Sequence, residues 1–466
     1  MIFSSLEFLL FFAVVLVGLG LLHGKNSLRK SLLLAASYYF YAFWDWRFLS
    51  LIWISTIVDY LVGLGLSRAI SAGQRKLLLS ISLSVNLGLL GFFKYFNFFI
   101  EPFSQIVESF GFHAGTLNII LPVGISFYTF QTLSYTIDIY RGKMEPHESL
   151  LDFALFVGFF PQLVAGPIVR ASHFLPQLKE YKPLTGVNFY AGFQRVTYGF
   201  FKKVFVADRL AVFSDHVFAN AGGYDCATTW LAAIAYSLQI YFDFSGYSDM
   251  AIGVARVMGY DLGENFDFPY LSKSPREFWR RWHISLSTWV RDYIYIPLGG
   301  SWKGIGRTYL NVIITMLLCG LWHGAAWTFV AWGGLHGIAL AGNRLFQRRE
   351  GVSTSRRVPA VLPWFFTMLF VVLGWVLFRA ESFSMAELMM RQMFFPEPGI
   401  NWYFPFVPFV LVVVVVVHTI KAKGYFDTWF LPESARIYSP ALLFSLLWLA
   451  IIFYPHGFNP FIYFQF

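Results

Sequence analysis

Charge is what this sequence has least of. Asp, Glu, Lys and Arg make up 13% of its 466 residues, about half the share of a soluble globular chain. With 57% of the residues hydrophobic, that scarcity points to a polytopic membrane protein and away from a soluble one. Cysteine is nearly absent as well. Cys226 and Cys319 are too few for a disulfide framework or a Cys-based metal site. Long polar intervals are missing from residue 5 onward, so one membrane-embedded domain over 1–466 is expected. No Lys or Arg precedes the first apolar run, "SLEFLLFFAVVLVGLGLL", and no A-x-A site follows it. It reads as a retained spanning helix and not as a cleaved signal peptide. There is no G-x-S-x-G elbow, no Walker A sequence and no H-E-x-x-H pair, which removes support from triad hydrolase, P-loop and metal readings. No bound cofactor and no metal are expected. Internal repeats of the kind that mark many transporters are also missing.

What is present is a series of apolar segments near the roughly 20 residues that a spanning helix needs. They lie near 5–22, 31–45, 48–66, 77–100, 117–139, 151–169, 190–213, 228–258, 308–322, 324–342, 361–378, 404–420 and 440–454. Several are short or polar, so the expectation is an all-α polytopic membrane protein with about eleven crossings and re-entrant pieces. The run "VLVVVVVV" at 410–417 is β-branched, yet backbone in lipid must pair within its own helix, so it is expected to be helical. The segment 151–169 carries "FFPQLVAGP" between two basic loops, and is expected to dip in and return.

Basic residues cluster at 23–30, 67–76, 140–147, 276–283, 344–357 and 420–436. The positive-inside rule puts these in the cytoplasm, with 101–115 and 381–399 on the other side. Both termini then lie outside. The net charge of +9 follows from these loops, and no nucleic-acid partner is inferred from it.

Ionisable residues inside membrane segments are costly and mark function by default. Three groups stand out. In "YFDFSGYSDMAIG" (241–253), Asp243, Ser245, Tyr247, Ser248 and Asp249 interrupt an apolar stretch around Gly246. They are read either as the repair of a helix break or as the wall of a polar cavity. In 274–307, Ser-Pro makes a good helix start. Arg276, Arg280, Arg281, Arg291, Lys303 and Arg307 alternate there with Phe278, Trp279, Trp282 and Trp289. That pattern suits an amphipathic interface helix, or a basic set holding the phosphates of an anionic donor through guanidinium forks. His283 closes the cluster.

The third group is "CGLWHGAAWTFVAWGGLHG" (319–337). His336 is read as a hydrogen-bonded core histidine. His323 ends a candidate helix and precedes Gly324, Ala325 and Ala326, which leave room beside the ring, with Trp322 and Trp327 as walls. Burial keeps an imidazole neutral, and a neutral imidazole can take a proton from a hydroxyl as general base. Cys319 lies on about the same helix face as His323. It is read as a packing residue and not as an acyl carrier.

"REFWRRWHISLSTWVRDYIYIPLGG" followed about forty residues later by "LLCGLWHGAAWTFVAWGGLHG" resembles the membrane-bound O-acyltransferase family. The stretches "LPVGISFYTFQTLSYTIDIYRG", "FVGFFPQLVAGPIVR" and "YFDFSGYSDMAIG" are similar to its bacterial branch that serves cell-surface polymers. The resemblance implies a ring of helices around a thinned central funnel. It also implies His323 as the family's near-universal histidine and His283 as its second motif residue. It further implies an O-acetyltransferase that passes acetyl groups from cytoplasmic acetyl-coenzyme A across the membrane. The product would be an O-acetylated exported polysaccharide of the alginate or cellulose type, completed by a periplasmic partner protein. Arg276, Arg280, Arg281, Trp282 and Lys303 are then donor-binding candidates, with Trp322, Asp243, Ser245, Tyr247 and Asp249 around the path. The alternatives are a transporter or flippase with a His/Asp proton relay and an acyltransferase acting on a lipid or a protein.

Overall fold

Backbone amides in hydrocarbon find partners only within their own segment, and most of the apolar runs are helical where they are described, residues 117–124 and 164–169 being the main exceptions. The computed structural model describes residues 1–108, 116–350, 359–424, 438–454 and 461–462. Among these residues there is no strand, only an isolated parallel bridge between Tyr224 and Ile400. The acidic stretch 101–115 and the basic stretches 344–357 and 420–436 lie partly outside the described residues. Among the described residues, four helical stretches are long and apolar enough to cross a membrane: Asn26–Arg68, Ala72–Ser104, Ile305–His323 and Val361–Arg379. Three shorter apolar helices are Leu6–Leu21, Phe406–Ala422 and Pro440–Ile452.

The chain divides into two units. The first comprises 1–196 and 250–263. Its helices are α1 (Leu6–Leu21), α2 (Asn26–Asp45), α3 (Leu49–Arg68), α4 (Ala72–Leu90), α5 (Phe96–Glu108), α6 (Ile125–Tyr140), α7 (Leu150–Gly158), α8 (Phe160–Leu163), α9 (Ala171–Lys179) and most of α10 (Gly186–Phe200). Side chains set their starts: Ser5 caps α1, Ser149 caps α7, and Ser71 with Gln74 closes a capping box on α4. At the centre lies α6, buried at nearly every position from Ile125 to Ile139. Its polar residues face protein. Asp59 of α3 accepts from Ser82 Oγ at 2.6 Å and Asn86 Nδ2 at 2.9 Å on α4, and Ser55 bonds Thr132 of α6 at 3.3 Å. Such interhelical bonds join helices where no hydrophobic drive exists between them. The 151–169 stretch is not one helix: α7 has 9 residues and α8 has 4. The chain breaks at Phe159, and Pro161 sits in the first turn of the second piece, so neither is long enough to cross.

The second unit comprises 197–249 and 264–466. It holds α11 (Asp208–Ala219), residues 226–249 of α12 (Cys226–Val257), α13 (Pro275–Arg281), α14 (Ile284–Val290), α15 (Ile305–His323), α16 (Trp327–Glu350), α17 (Val361–Arg379), α18 (Phe383–Phe394), α19 (Phe406–Ala422) and α20 (Tyr438–Ile452). Leu210, Phe213 and Val217 of α11, Ala232, Ala235 and Leu238 of α12, and Val407, Val410 and Val414 of α19 form one apolar core. The valine run is therefore helical, its buried face recurring at three- and four-residue steps.

Two local features differ from the sequence reading. Helix α12 runs unbroken through Gly246. That glycine serves close approach: a Cβ there would lie 2.8 Å from the Gly199 carbonyl oxygen and 3.1 Å from Lys203 N. The basic-aromatic segment 274–307 is not one amphipathic helix but two seven-residue helices, α13 and α14, followed by a π turn over Arg291–Tyr295. The break falls on His283, whose φ of 44° is the left-handed region, unusual for a residue with a side chain.

Candidate active site

All of the site lies in the second unit. Ser274 accepts from Glu277 N at 3.2 Å and Pro275 takes the first helical position, so α13 starts where the sequence places a helix start. The left-handed turn at its end swings the His283 ring inward, where it is 0% exposed. Asn265, from the loop after α12, receives it: His283 Nδ1 lies 3.1 Å from Asn265 Oδ1. The same oxygen accepts from Ser285 Oγ at 2.8 Å and from the Ser285 backbone N–H at 3.3 Å, while Asn265 Nδ2 donates to Ser248 Oγ at 3.0 Å. A backbone N–H can only donate, so the amide orientation is fixed. The proton of the neutral imidazole is therefore on Nδ1, and Nε2 carries the lone pair. Burial pushes the His283 pKa down to about 3, so the ring is neutral at physiological pH.

His323 ends α15, and Gly324 caps it. The imidazole is 3% exposed and sits edge-on to Trp332 at 5.2 Å and Phe378 at 5.3 Å. Trp322 touches both histidines, with ring centroids 5.0 Å from His323 and 6.0 Å from His283. Two imidazoles therefore share one indole neighbour, His323 among aromatic rings and His283 against the Asn265 amide. Of the expected walls, Trp322 is one. Trp327 is not: it is 58% exposed, and the ring beside Gly324 is that of Phe329.

The α15–α16 contact that carries His323 is made by glycines. A Cβ on Gly320 would lie 2.2 Å from the Phe329 carbonyl oxygen, and one on Gly333 would lie 2.2 Å from that of Met316. Backbone meets backbone there, as in small-residue packing of membrane helices. His336, one turn further along α16, accepts from Trp279 Nε1 at 3.2 Å, which makes it the hydrogen-bonded core histidine expected.

The remaining candidates divide. Arg281 pairs with Glu277 and Asp267, both at 3.1 Å. Arg276, Arg280 and Lys303 are exposed. Trp282 is buried, stacked on Phe278 at 5.5 Å and tilted against Trp375 at 4.9 Å, so it packs the core and does not face solvent. Asp243 meets Lys203 Nζ at 2.7 Å, and Asp249 meets Lys202 Nζ at 2.6 Å. Both carboxylates are ion-paired, an arrangement that suits anchoring. Ser245 and Tyr247 are buried, and Ser245 Oγ has no hydrogen-bond partner among the described residues. Cys319 is buried on α15. Sequence reasoning missed Asn265, Lys203 and Phe461. Lys203 carried a visible sign, a lysine inside an apolar candidate span; the other two carried none.

With the geometry in place, the chain can be set beside known proteins. The family model described as MBOAT, membrane-bound O-acyltransferase family, matches residues 144–384. The protein named "Probable alginate O-acetylase AlgI" of Pseudomonas aeruginosa is 48% identical over 84% of this chain and 75% of its own length. The peptidoglycan O-acetyltransferase of Helicobacter pylori is 39% identical over 80% and 75% respectively. The teichoic acid D-alanyltransferase of Bacillus subtilis is 27% identical over 57% and 70%.

Proposed function

This chain belongs to the membrane-bound O-acyltransferase family and is an O-acyltransferase, and from that premise we propose that it moves acetyl groups from cytoplasmic acetyl-coenzyme A across the inner membrane. The acceptor is a hydroxyl on the route to an exported polysaccharide of the alginate or cellulose type, reached through a periplasmic partner protein. An acetyl group is favoured over a larger acyl group by the relatives named for O-acetylation, at 48% and 39% identity, over the one named for D-alanyl transfer, at 27%. The basic face around 276–307 lies on the cytoplasmic side and both termini lie in the periplasm.

In this reading His323 is the general base. It takes the proton of the acceptor hydroxyl as that oxygen attacks the thioester carbonyl. The tetrahedral intermediate collapses, the carbon–sulfur bond breaks, and the imidazolium returns its proton to the departing thiolate. Such assistance is worth about 10²–10⁴-fold. The apolar shell of Trp322, Trp332 and Phe378 packs around the ring and keeps water scarce. His283, held as the Nδ1–H tautomer by Asn265, presents a lone pair at Nε2. It accepts and does not donate there, so it serves to orient a hydrogen-bearing group, not to support an oxyanion. The donor phosphates are assigned to Arg276, Arg280 and Lys303, with Arg281 already occupied by its carboxylates.

The observation that carries the proposal is the pair of buried imidazoles flanking Trp322, one with its tautomer fixed by Asn265. The experiment is reconstitution of the full chain with labelled acetyl-coenzyme A. His323→Ala is expected to lose label transfer and donor hydrolysis while remaining folded in the membrane. Turnover near the wild-type rate in that variant contradicts the assignment.

A further inference from the structure

Phe461 and Ile462 are buried against the helix that supports the site. The Ile462 N–H donates to Asp243 Oδ2 at 2.7 Å. The other oxygen of that carboxylate meets Lys203 Nζ at 2.7 Å, and the same ammonium meets Asp208 at 2.8 Å. A buried carboxylate engaged at both oxygens, one by a charge and one by a backbone amide, fixes the chain at 462 in one place. Lys203 is compensated by two carboxylates, so the anchor is a satisfied buried network; removing one member would strand the others.

The anchor places Phe461. Its ring stacks on Tyr247 at 4.6 Å and lies 5.7 Å from Phe244. Positions 243, 244 and 247 share one face of α12 by their three- and four-residue spacing. Phe244 in turn stands edge-on to the His283 imidazole, with centroids 4.6 Å apart and planes at 87°. A continuous line of contact thus runs from the Lys203–Asp243 anchor through Phe461 and Phe244 to the site histidine. Asn265 fixes the His283 tautomer from the Nδ1 side, and the Phe244 edge limits tilting of the ring plane.

We propose that Phe461, locked in place by the Asp243–Ile462 hydrogen bond, is a positioning residue for acyl transfer that sets the plane of His283 through Phe244. The proposal rests on the acyl-transfer reading above. It assigns Asp243 to the anchor and not to the substrate path. The sequence 461–462 lies far from the histidine motifs along the chain, and only the fold brings it there.

The test uses the full chain as wild type, Phe461→Ala and Phe461→Leu, each measured for melting behaviour in detergent. Two further readouts are taken on the same preparations. One is carbethoxylation of His283 by diethyl pyrocarbonate, read by peptide mass spectrometry. The other is His323-dependent turnover of labelled acetyl-coenzyme A. In folded Phe461→Ala, turnover is expected to fall about tenfold or more, within the roughly 10²-fold that a misplacement of about 1 Å costs. Donor KM stays within about twofold, because the loss is confined to the reacting geometry. Labelling of His283 rises, and Phe461→Leu, which refills most of the volume, restores both. If Phe461→Ala does not fold, Phe461→Val takes its place in the comparison. Wild-type turnover per folded molecule in the truncated variant overturns the proposal. So does unchanged His283 labelling, or equal impairment of the small and conservative variants in proportion to lost folded protein. Absence of His323-dependent turnover in the wild type counts instead against the acyl-transfer reading, and the labelling arm still reports the packing separately.

Discussion

The glycine contact between α15 and α16 allows a quantitative prediction, because its geometry leaves no slack. In Gly333→Ala the new methyl would sit 2.2 Å from the Met316 carbonyl oxygen, whereas real Cβ atoms essentially never come within 3.0 Å of such an atom. The two helices must open by at least 0.8 Å, since the obstacle is backbone and has no rotamer to adopt. Gly334→Ala is the control at the neighbouring position. Its methyl meets only the Leu317 Cδ2 end at 3.2 Å, and a flexible side chain can yield. His323 lies about two turns beyond Met316 and about one beyond Gly320 on the same helix, so opening the contact moves the imidazole relative to Trp332 and Phe378. Overpacking of this kind costs about 1–3 kcal/mol of stability. A displacement near 1 Å costs about 10²-fold in rate. The expected result is a folded but less stable Gly333→Ala protein whose turnover per folded molecule falls by about 30–100-fold, with Gly334→Ala within about threefold of wild type. The assay is labelled acetyl transfer in membranes, normalised to folded protein by fluorescence size exclusion. Equal rates for the two variants would refute the reasoning that this contact positions the site.

The Asn265 amide fixes His283 in one tautomer, so Asn265→Ala should lower kcat by about 10–100-fold with donor KM within about twofold. Asn265→Asp keeps the acceptor oxygen and should retain more; identical losses in the two would argue against tautomer control. Burial holds the His283 pKa near 3 against the ordinary 6.5. Between those values acid protonates the unfolded chain and not the folded one, so stability falls as pH drops from 6.5 towards 3. His283→Gln should flatten that part of the melting-temperature profile, and an unchanged acid branch contradicts the assignment. Arg280 is exposed and has no ion pair among the described residues. Arg280→Glu should therefore raise donor KM several-fold with kcat nearly unchanged, as loss of uniform binding does. A fall in kcat at constant KM would remove it from the donor site.

The sequence reveals the parts of this molecule that depend on local pattern. Apolar runs forecast the helices, Ser274 and Pro275 forecast the start of α13, and the contrast between His323 and His336 appears in their neighbours. What depends on distant pairing stays hidden. Gly246 reads as a break because glycine destabilises a helix, yet its role is to admit the backbone of residues 199–203, and no local pattern encodes that approach. Trp282 reads as a donor-binding aromatic among arginines, but beside the left-handed turn at His283 it is buried and packs on Trp375. Asp243 reads as a cavity wall because Lys203, forty residues earlier, is not visibly its partner. Arg281 likewise reads as a phosphate ligand until Asp267 and Glu277 are seen to occupy it. Asn265 sits in a polar loop whose composition resembles any other, although its amide orients a site histidine.

The central claim is that His323, buried against Trp322, Trp332 and Phe378, is the base in acyl transfer. The direct measurement is the pre-steady-state rate of label loss from acetyl-coenzyme A in reconstituted full-chain protein, comparing wild type with His323→Ala and His323→Gln. Both variants should keep wild-type donor binding and lose about 10²–10⁴-fold in rate. Wild-type rates in either variant, with the donor still bound, would contradict the account.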